Sequence, residues 1–191
     1  MKIRDINLGD KPVLLAPMED VTDQAFRLLC KEFGASMVYS EFVSADALIR
    51  NVNRSLEKIR VDERERPVAL QLFGSDPEIL GEVAAQLDDA PFDILDFNMG
   101  CPVPKVVGNG EGSALMRDPH KAEQILSAMV RATRKPVTVK IRKGFTEEEA
   151  NAPEIARIAE SCGVAAVAVH GRSRDQYYAG KADWDIIRKV K

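Results

Sequence analysis

Val68-Ala69-Leu70-Gln71-Leu72-Phe73-Gly74-Ser75-Asp76-Pro77-Glu78-Ile79-Leu80 holds one full repeat of the pattern that decides the fold. A near-continuous apolar run, broken only by Gln71, stops at Gly74. Behind Ser75-Asp76-Pro77-Glu78, the residues Ile79, Leu80, Val83, Ala84 and Leu87 then recur at helical spacing. A run without strict alternation is what a strand buried on both faces requires, as in a parallel sheet. The stretch predicts a strand followed by a helix.

The same unit recurs on either side. The other runs are Val13–Ala16, Met37–Val43, Asp93–Asn98, Val137–Ile141 and Ala165–His170. After the first, Phe26, Leu29, Cys30 and Phe33 make an apolar stripe, with Thr22 as N-cap, Val21 and Phe26 at staple spacing, and Gly34 as the stop. A weaker helix is expected near Ala45–Ile49, followed by a charged stretch from Arg54 to Arg66. Asp118-Pro119 opens a helix whose inner face is Ala122, Ile125, Leu126, Met129 and Val130. Pro153 opens another with Ile155, Ala156, Ile158 and Ala159, closed by Gly163, and a last one begins near Asp183-Trp184.

Strict βα alternation implies a parallel sheet, either doubly wound or closed as a barrel. No G-x-G-x-x-G follows the first run, which disfavours the dinucleotide-binding form of the open sheet. A full eight-unit barrel takes about 250 residues. The 191 residues therefore predict a (β/α)8 TIM barrel truncated to about six βα units, one incomplete domain over residues 1–191. Its first and sixth strands would be unpaired edges flanked by Val13-Leu14-Leu15 and Ala165-Ala166-Val167, so the chain is expected to self-associate.

With 45% hydrophobic residues the chain can bury one real core. Cys30, Cys101 and Cys162 are too few and too scattered for a disulfide framework or a zinc site, so no metal is expected. No apolar stretch approaches the ~18 residues that span a bilayer, and Asp5 and Asp10 break any signal-peptide core. A soluble, cytoplasmic protein without a membrane partner is expected. The net charge is −3, but it is unevenly spread. Residues 1–98 carry 11 basic and 19 acidic side chains, residues 99–191 carry 16 and 11, and a basic second half suits a polyanionic partner.

Polar residues recur at the C-terminal ends of the runs, where burial does not call for them: Ser40 and Glu41, Gln71, Asn98, Lys140 and His170. That rim is where barrel enzymes build their sites, and lysine almost never goes inside unpaired. Gly108-Asn109-Gly110-Glu111-Gly112-Ser113 fits neither common phosphate-loop pattern and reads as a mobile loop with glycine hinges, carrying Cys101. Lys105, Arg142, Lys143, Arg172 and Arg174 flank the rim and are candidates for an RNA backbone. His120 reads as a surface residue, and Cys30 and Cys162 as buried bystanders.

Leu15-Ala16-Pro17-Met18 with Val21-Thr22-Asp23, Leu70-Gln71-Leu72-Phe73-Gly74, Asn98-Met99-Gly100-Cys101-Pro102, Val139-Lys140-Ile141-Arg142 and Val169-His170-Gly171-Arg172 closely resemble, in order, the motifs of the tRNA-dihydrouridine synthases. The resemblance covers residue 13 to the end. It implies an FMN-dependent, NAD(P)H-driven oxidoreductase that reduces the uracil 5,6 double bond of uridine in tRNA. It further implies that Ala16, Pro17 and Met18 form the shelf under the flavin. Gln71 would bond the pyrimidine edge, Lys140 would sit beside N1 and O2 of the flavin, and His170 would contact the cofactor. Asn98 and Arg172 would orient the uracil, and Cys101 would be the general acid. The family's remaining barrel strands and its C-terminal helical tRNA-binding domain have no counterpart in these 191 residues.

The chemistry agrees about Cys101. Reducing the double bond needs hydride at C6 and a proton at C5, and a thiol of pKa ~8.5 stays protonated near neutrality yet releases its proton readily. Two alternatives stay open: another FMN barrel reductase, of the dihydroorotate dehydrogenase kind, and a non-catalytic fragment that only associates with a partner chain or RNA.

Overall fold

The computed structural model describes residues 1–191. A two-stranded antiparallel hairpin opens the chain, β1 Lys2–Ile3 with β2 Ile6–Asn7. Then come α1 Gln24–Glu32, β3 Val38–Ser44, α2 Ala45–Ile49 and α3 Asn53–Lys58. β4 Val68–Phe73 leads to α4 Pro77–Gln86, and β5 Ile94–Met99 to α5 Pro104–Gly108 and α6 Pro119–Ala132. β6 Val137–Arg142 precedes α7 Ala152–Ser161, and β7 Ala166–His170 precedes α8 Trp184–Val190.

Strands β3 to β7 form one parallel sheet in chain order. A doubly wound sheet reverses its order at a switch point. No reversal occurs here, so the sheet is built like a stretch of barrel wall. The first expected strand is reduced to one parallel bridge, Leu14 to Met37, with the Leu15 N–H donating to the Met37 carbonyl at 3.0 Å. Pro12 and Pro17 bracket that run, and proline cannot donate to a ladder.

Helix boundaries follow the local chemistry, with one correction. Asp76 and Asp118 cap α4 and α6, each with proline in the first turn, and Asp183 caps α8. The cap of α1 is Asp23, not Thr22: its carboxylate accepts from the Phe26 N–H at 2.9 Å. Thr22 lies fully buried instead, its hydroxyl bonded to Met18. The apolar stripe of α1 does not all turn inward either. Phe33 is 86% exposed and Leu29 46%, while Arg27 goes inside to meet Glu65. A buried charge needs its partner more than two apolar side chains need cover.

The period of two along each strand divides the sheet into two faces. Leu70, Leu72, Leu95, Phe97, Val137, Val139 and Ile141 belong to the large cluster packed under the helices. On the opposite face, Met37, Tyr39, Ala69 and Ile94 pack with Ile3 and Leu8 of the opening hairpin, which plugs that end. Further along the same face the residues turn polar.

Both edges of the sheet are open. Val13 is 68% exposed, and a groove of about 520 Å³ lies along β7, lined by Val167, Val169, Ile187 and Val190 together with the charged Arg157, Glu160 and Lys189. Unpaired, apolar edges recruit other chains. The 191-residue chain is therefore expected to self-associate, and light scattering across a chromatography peak should give at least twice the chain mass. A stable monomer would show that these edges tolerate water.

Candidate active site

Strand register stacks the polar residues in layers. Gln71 is level with Asp96, and Asp96 with Thr138. Asn98 is level with Lys140, and Arg142 with His170. Asn98, Lys140, Arg142 and His170 lie toward the C-terminal ends of their strands, the end at which α/β proteins bind ligands, with Asp96 and Thr138 deeper along the same face.

A cleft of about 420 Å³ opens above them, with Met18, Phe42, Cys101, Lys140, His170 and Tyr178 among its walls. Pro17 and Asn98 also face it; Ala16 is exposed just before it. The Pro17-Met18 segment is held from below. The Met18 N–H donates to Thr22 Oγ1 at 3.1 Å, the Thr22 hydroxyl donates to the Met18 carbonyl at 3.0 Å, and the Asp20 N–H donates to Glu41 Oε1 at 2.8 Å.

Cys101 is the best-held residue of the cleft. Its N–H donates to Asn98 Oδ1 at 2.9 Å, and its carbonyl accepts from the Ser113 N–H at 3.1 Å and the Ser113 hydroxyl at 2.8 Å. Burial pushes its thiol pKa above the ordinary value, against a hydrogen bond at Val103 and the nearby charge of Arg142. The thiol is therefore a protonated group at neutral pH. The following loop is not a hinge. It forms α5 and a 3-10 turn over Gly112–Arg117, in which Ser113, Leu115 and Met116 are buried. Gly112 has φ +58° and packs so closely that a Cβ would stand 2.9 Å from the Cys101 carbonyl oxygen.

The Lys140 side chain makes no hydrogen bond or ion pair within the protein. Burial lowers its pKa, and the charge of Asp96 partly opposes that. His170 is held near pKa 4 by burial and by Arg142, Lys140 and Arg172. Arg172 Nη1 lies 3.2 Å from His170 Nε2. Because arginine only donates, Nε2 accepts and the ring is neutral with its proton on Nδ1.

Four of the expected residues, Gln71, Arg172, Arg142 and Lys143, are placed differently. Gln71 is fully buried beneath the cleft, its amide donating to Asp96 Oδ2 at 2.6 Å and accepting from Asn98 Nδ2 at 2.8 Å. Arg172 ties its own loop, donating to the carbonyls of Ala179 and Gly180 at 3.1 and 3.0 Å. Arg142 is buried, with donor bonds to the carbonyls of Gly100, Ser173 and Tyr177, and Lys143 is buried against Glu147 and Asp183. Neither Arg142 nor Lys143 is free to meet RNA. His120 is exposed, as expected, and Cys30 and Cys162 are half-buried away from the cleft.

Sequence reasoning missed Asp96, Thr138 and the tyrosines. Asp96 and Thr138 stand two residues before Asn98 and Lys140, so strand periodicity alone puts them on the same face. Tyr177 and Tyr178 come from the loop after β7, and no local pattern brings that loop over Cys101. The Tyr177 hydroxyl donates to the Pro102 carbonyl at 3.1 Å.

No helix of the chain is long and apolar enough to cross a membrane. Among solved structures, the carboxyl transferase domain of Rhizobium etli pyruvate carboxylase with pyruvate aligns over 93% of this chain and 32% of its own, with a TM-score of 0.51 and 16% identity. That likeness is one of fold alone, of the TIM-barrel type. Among curated proteins, a "Probable tRNA-dihydrouridine synthase" of Rickettsia prowazekii is 46% identical over 192 residues, covering 100% of this chain and 58% of its own length. "tRNA-dihydrouridine synthase B" of Xanthomonas campestris pv. campestris is 46% identical over 191 residues, covering 100% and 57%. The chain thus spans under three fifths of these relatives. A sequence model of the dihydrouridine synthase family matches residues 14–191, the whole run of strands that builds the cleft, and the chain belongs to that family.

Proposed function

We propose that this chain carries the catalytic cleft of a tRNA-dihydrouridine synthase and reduces the 5,6 double bond of a uridine in tRNA, with NAD(P)H as the ultimate reductant. One observation carries the reading: a protonated thiol, Cys101, and a lysine without a protein partner, Lys140, line the same cleft. The five-stranded sheet, with the Leu14–Met37 bridge in the place of a further strand, is taken as six consecutive units of an eight-stranded barrel wall.

A flavin suits the residues present. Lys140 is half-buried with no electron-rich partner in the protein, and Pro17, Met18 and Tyr178 offer flat or apolar surfaces around it. FMN, when bound, supplies hydride to uracil C6. Lys140 and the neutral His170 would hold the ring edge, with Pro17 and Met18 beneath. Gln71 would act through Asn98 rather than by touching the ring. Asn98 would stand beside the base, and Cys101 would give its proton to C5. Exposed Lys105 and half-buried Arg174 are the remaining candidates for a phosphate of the RNA.

The decisive assay gives the full-length protein FMN, NADPH and an unmodified tRNA transcript, and scores dihydrouridine by mass. Formation of dihydrouridine, with no turnover of free dihydroorotate, is the expected result. Turnover of dihydroorotate alone would favour the rival pyrimidine reductase.

A second expectation concerns Lys140. Lys140→Met keeps much of the volume and removes the charge, so reduction of bound FMN should become harder. The flavin midpoint potential should fall; an unchanged potential would move Lys140 away from the ring.

A further inference from the structure

One buried carboxylate sits at the end of a hydrogen-bond chain that reaches the Cys101 loop. Asp96 is 1% exposed, on the polar face of β5. The Thr138 hydroxyl donates to its Oδ1 at 2.5 Å, and Gln71 Nε2 to its Oδ2 at 2.6 Å. Asn98 Nδ2 donates to Gln71 Oε1 at 2.8 Å, and Asn98 Oδ1 accepts from the N–H groups of Gly100 and Cys101 at 3.0 and 2.9 Å.

The direction of each bond follows from the first. A carboxylate only accepts, so Gln71 must offer Asp96 its NH2 and keep its oxygen for Asn98. Asn98 must then offer its own NH2 to Gln71, which leaves its oxygen facing the loop. With that amide reversed, an NH2 group would face two backbone N–H donors, and all would be buried without acceptors. We propose that Asp96 is a positioning residue for the proton donor, fixing the orientation of the Gln71 and Asn98 amides and through them the place of Cys101. Burial raises the Asp96 pKa, and with the bonds from Thr138 and Gln71 and the charge of Lys140 opposing it the group stands at about 6, so it is mainly the acceptor-only carboxylate near neutrality. Asp96 itself lines no part of the cleft.

The inference rests on the function proposed above only for its activity readout. Its first test needs no turnover. Iodoacetamide labelling of Cys101, Cys30 and Cys162 in the full-length protein is followed peptide by peptide. Asp96→Leu fills the space without an acceptor, whereas Asp96→Asn can still turn an oxygen to Gln71 and an NH2 to the Thr138 hydroxyl. Leu80→Ala, in α4 on the other face of the sheet, is the control for lost stability. In Asp96→Leu, labelling of Cys101 should rise on the order of tenfold relative to the other two, as the loop opens locally. Asp96→Asn and Leu80→Ala should stay near wild type. An unchanged Cys101 rate in Asp96→Leu, an equal rise in Leu80→Ala, or an equal rise in Asp96→Asn would overturn the proposal. Should Asp96→Leu not fold, Thr138→Val removes the hydroxyl on the other carboxylate oxygen and should also speed Cys101 labelling, and no rise there overturns the proposal. With tRNA, Asp96→Leu should lower kcat by about 10- to 100-fold, the scale of a misplaced reacting group, with KM nearly unchanged. A wild-type protein that makes no dihydrouridine would end the functional reading while the labelling still decides this one.

Discussion

Cys101→Ala in the full-length protein should lower dihydrouridine formation by about 10²- to 10⁴-fold, the usual weight of a general acid. The side chain is the only part of Cys101 that the reaction needs, because the loop is held by main-chain atoms. Its N–H bonds to Asn98 and its carbonyl to Ser113, and both survive the substitution. Burial keeps the thiol protonated, so the proton is present at neutral pH and its loss is what the variant reports. Reduction of bound flavin by NADPH, followed by its absorbance, should stay within about twofold of wild type, since general-acid catalysis enters only when the base is reduced. Wild-type product rates in this variant would remove Cys101 from the chemistry. A parallel loss of flavin reduction would mean that the alanine had disturbed the cleft instead.

Arg27→Met should cost about 3–5 kcal/mol of stability, read as a shifted urea midpoint with little change in slope. Arg27 and Glu65 are both buried, with Nε 2.5 Å from Oε2. The guanidinium also donates to the Thr22 and Arg60 carbonyls at 2.8 and 3.2 Å, and Glu65 accepts further from Gln24 and from the Asp62 N–H. Removing the cation leaves a carboxylate inside without its counter-charge, which is worse than never having had the pair. Arg27→Met combined with Glu65→Met should therefore recover much of the loss. If the single variant melts like wild type, the pair is not buried in solution as described. The effect should reach the cleft as well, because Thr22 joins Arg27 to Met18.

The other expected results probe different levels of the structure. Self-association tests the two open edges, the Lys140→Met potential tests the charge of the cleft, and the Asp96 labelling tests the network beneath it.

The sequence by itself determined the repeating unit. Val68–Phe73 was readable to the residue, because a near-continuous apolar run has one stable place, a strand covered on both faces. The starts of α4 and α6 followed from Asp-Pro pairs, whose capping and fixed φ are local chemistry. The polar strand ends at Asn98, Lys140 and His170, and the thiol of Cys101 just beyond one of them, were legible for a similar reason. Burial in a strand does not by itself call for them, and all four line the cleft.

Tertiary structure decided the rest. The Val13–Ala16 run has strand composition, but a ladder depends on a neighbour and on donors, and between two prolines it keeps one bridge. Helix α1 has an apolar stripe in its sequence, yet it leaves Leu29 and Phe33 exposed and turns Arg27 inward, because Glu65 lies 38 residues away in sequence and only the fold brings them together. Arg142 and Arg172 have the composition of anion contacts, but carbonyls occupy both guanidinium groups, delivered to Arg142 by distant loops and to Arg172 by the far end of its own loop. Asp96 shows the division most clearly. Periodicity puts it on the same face as Asn98, but its role depends on register with Gln71 and Thr138 in two other strands. Local sequence fixes what a residue offers; the partners that limit its direction arrive only when the chain closes on itself.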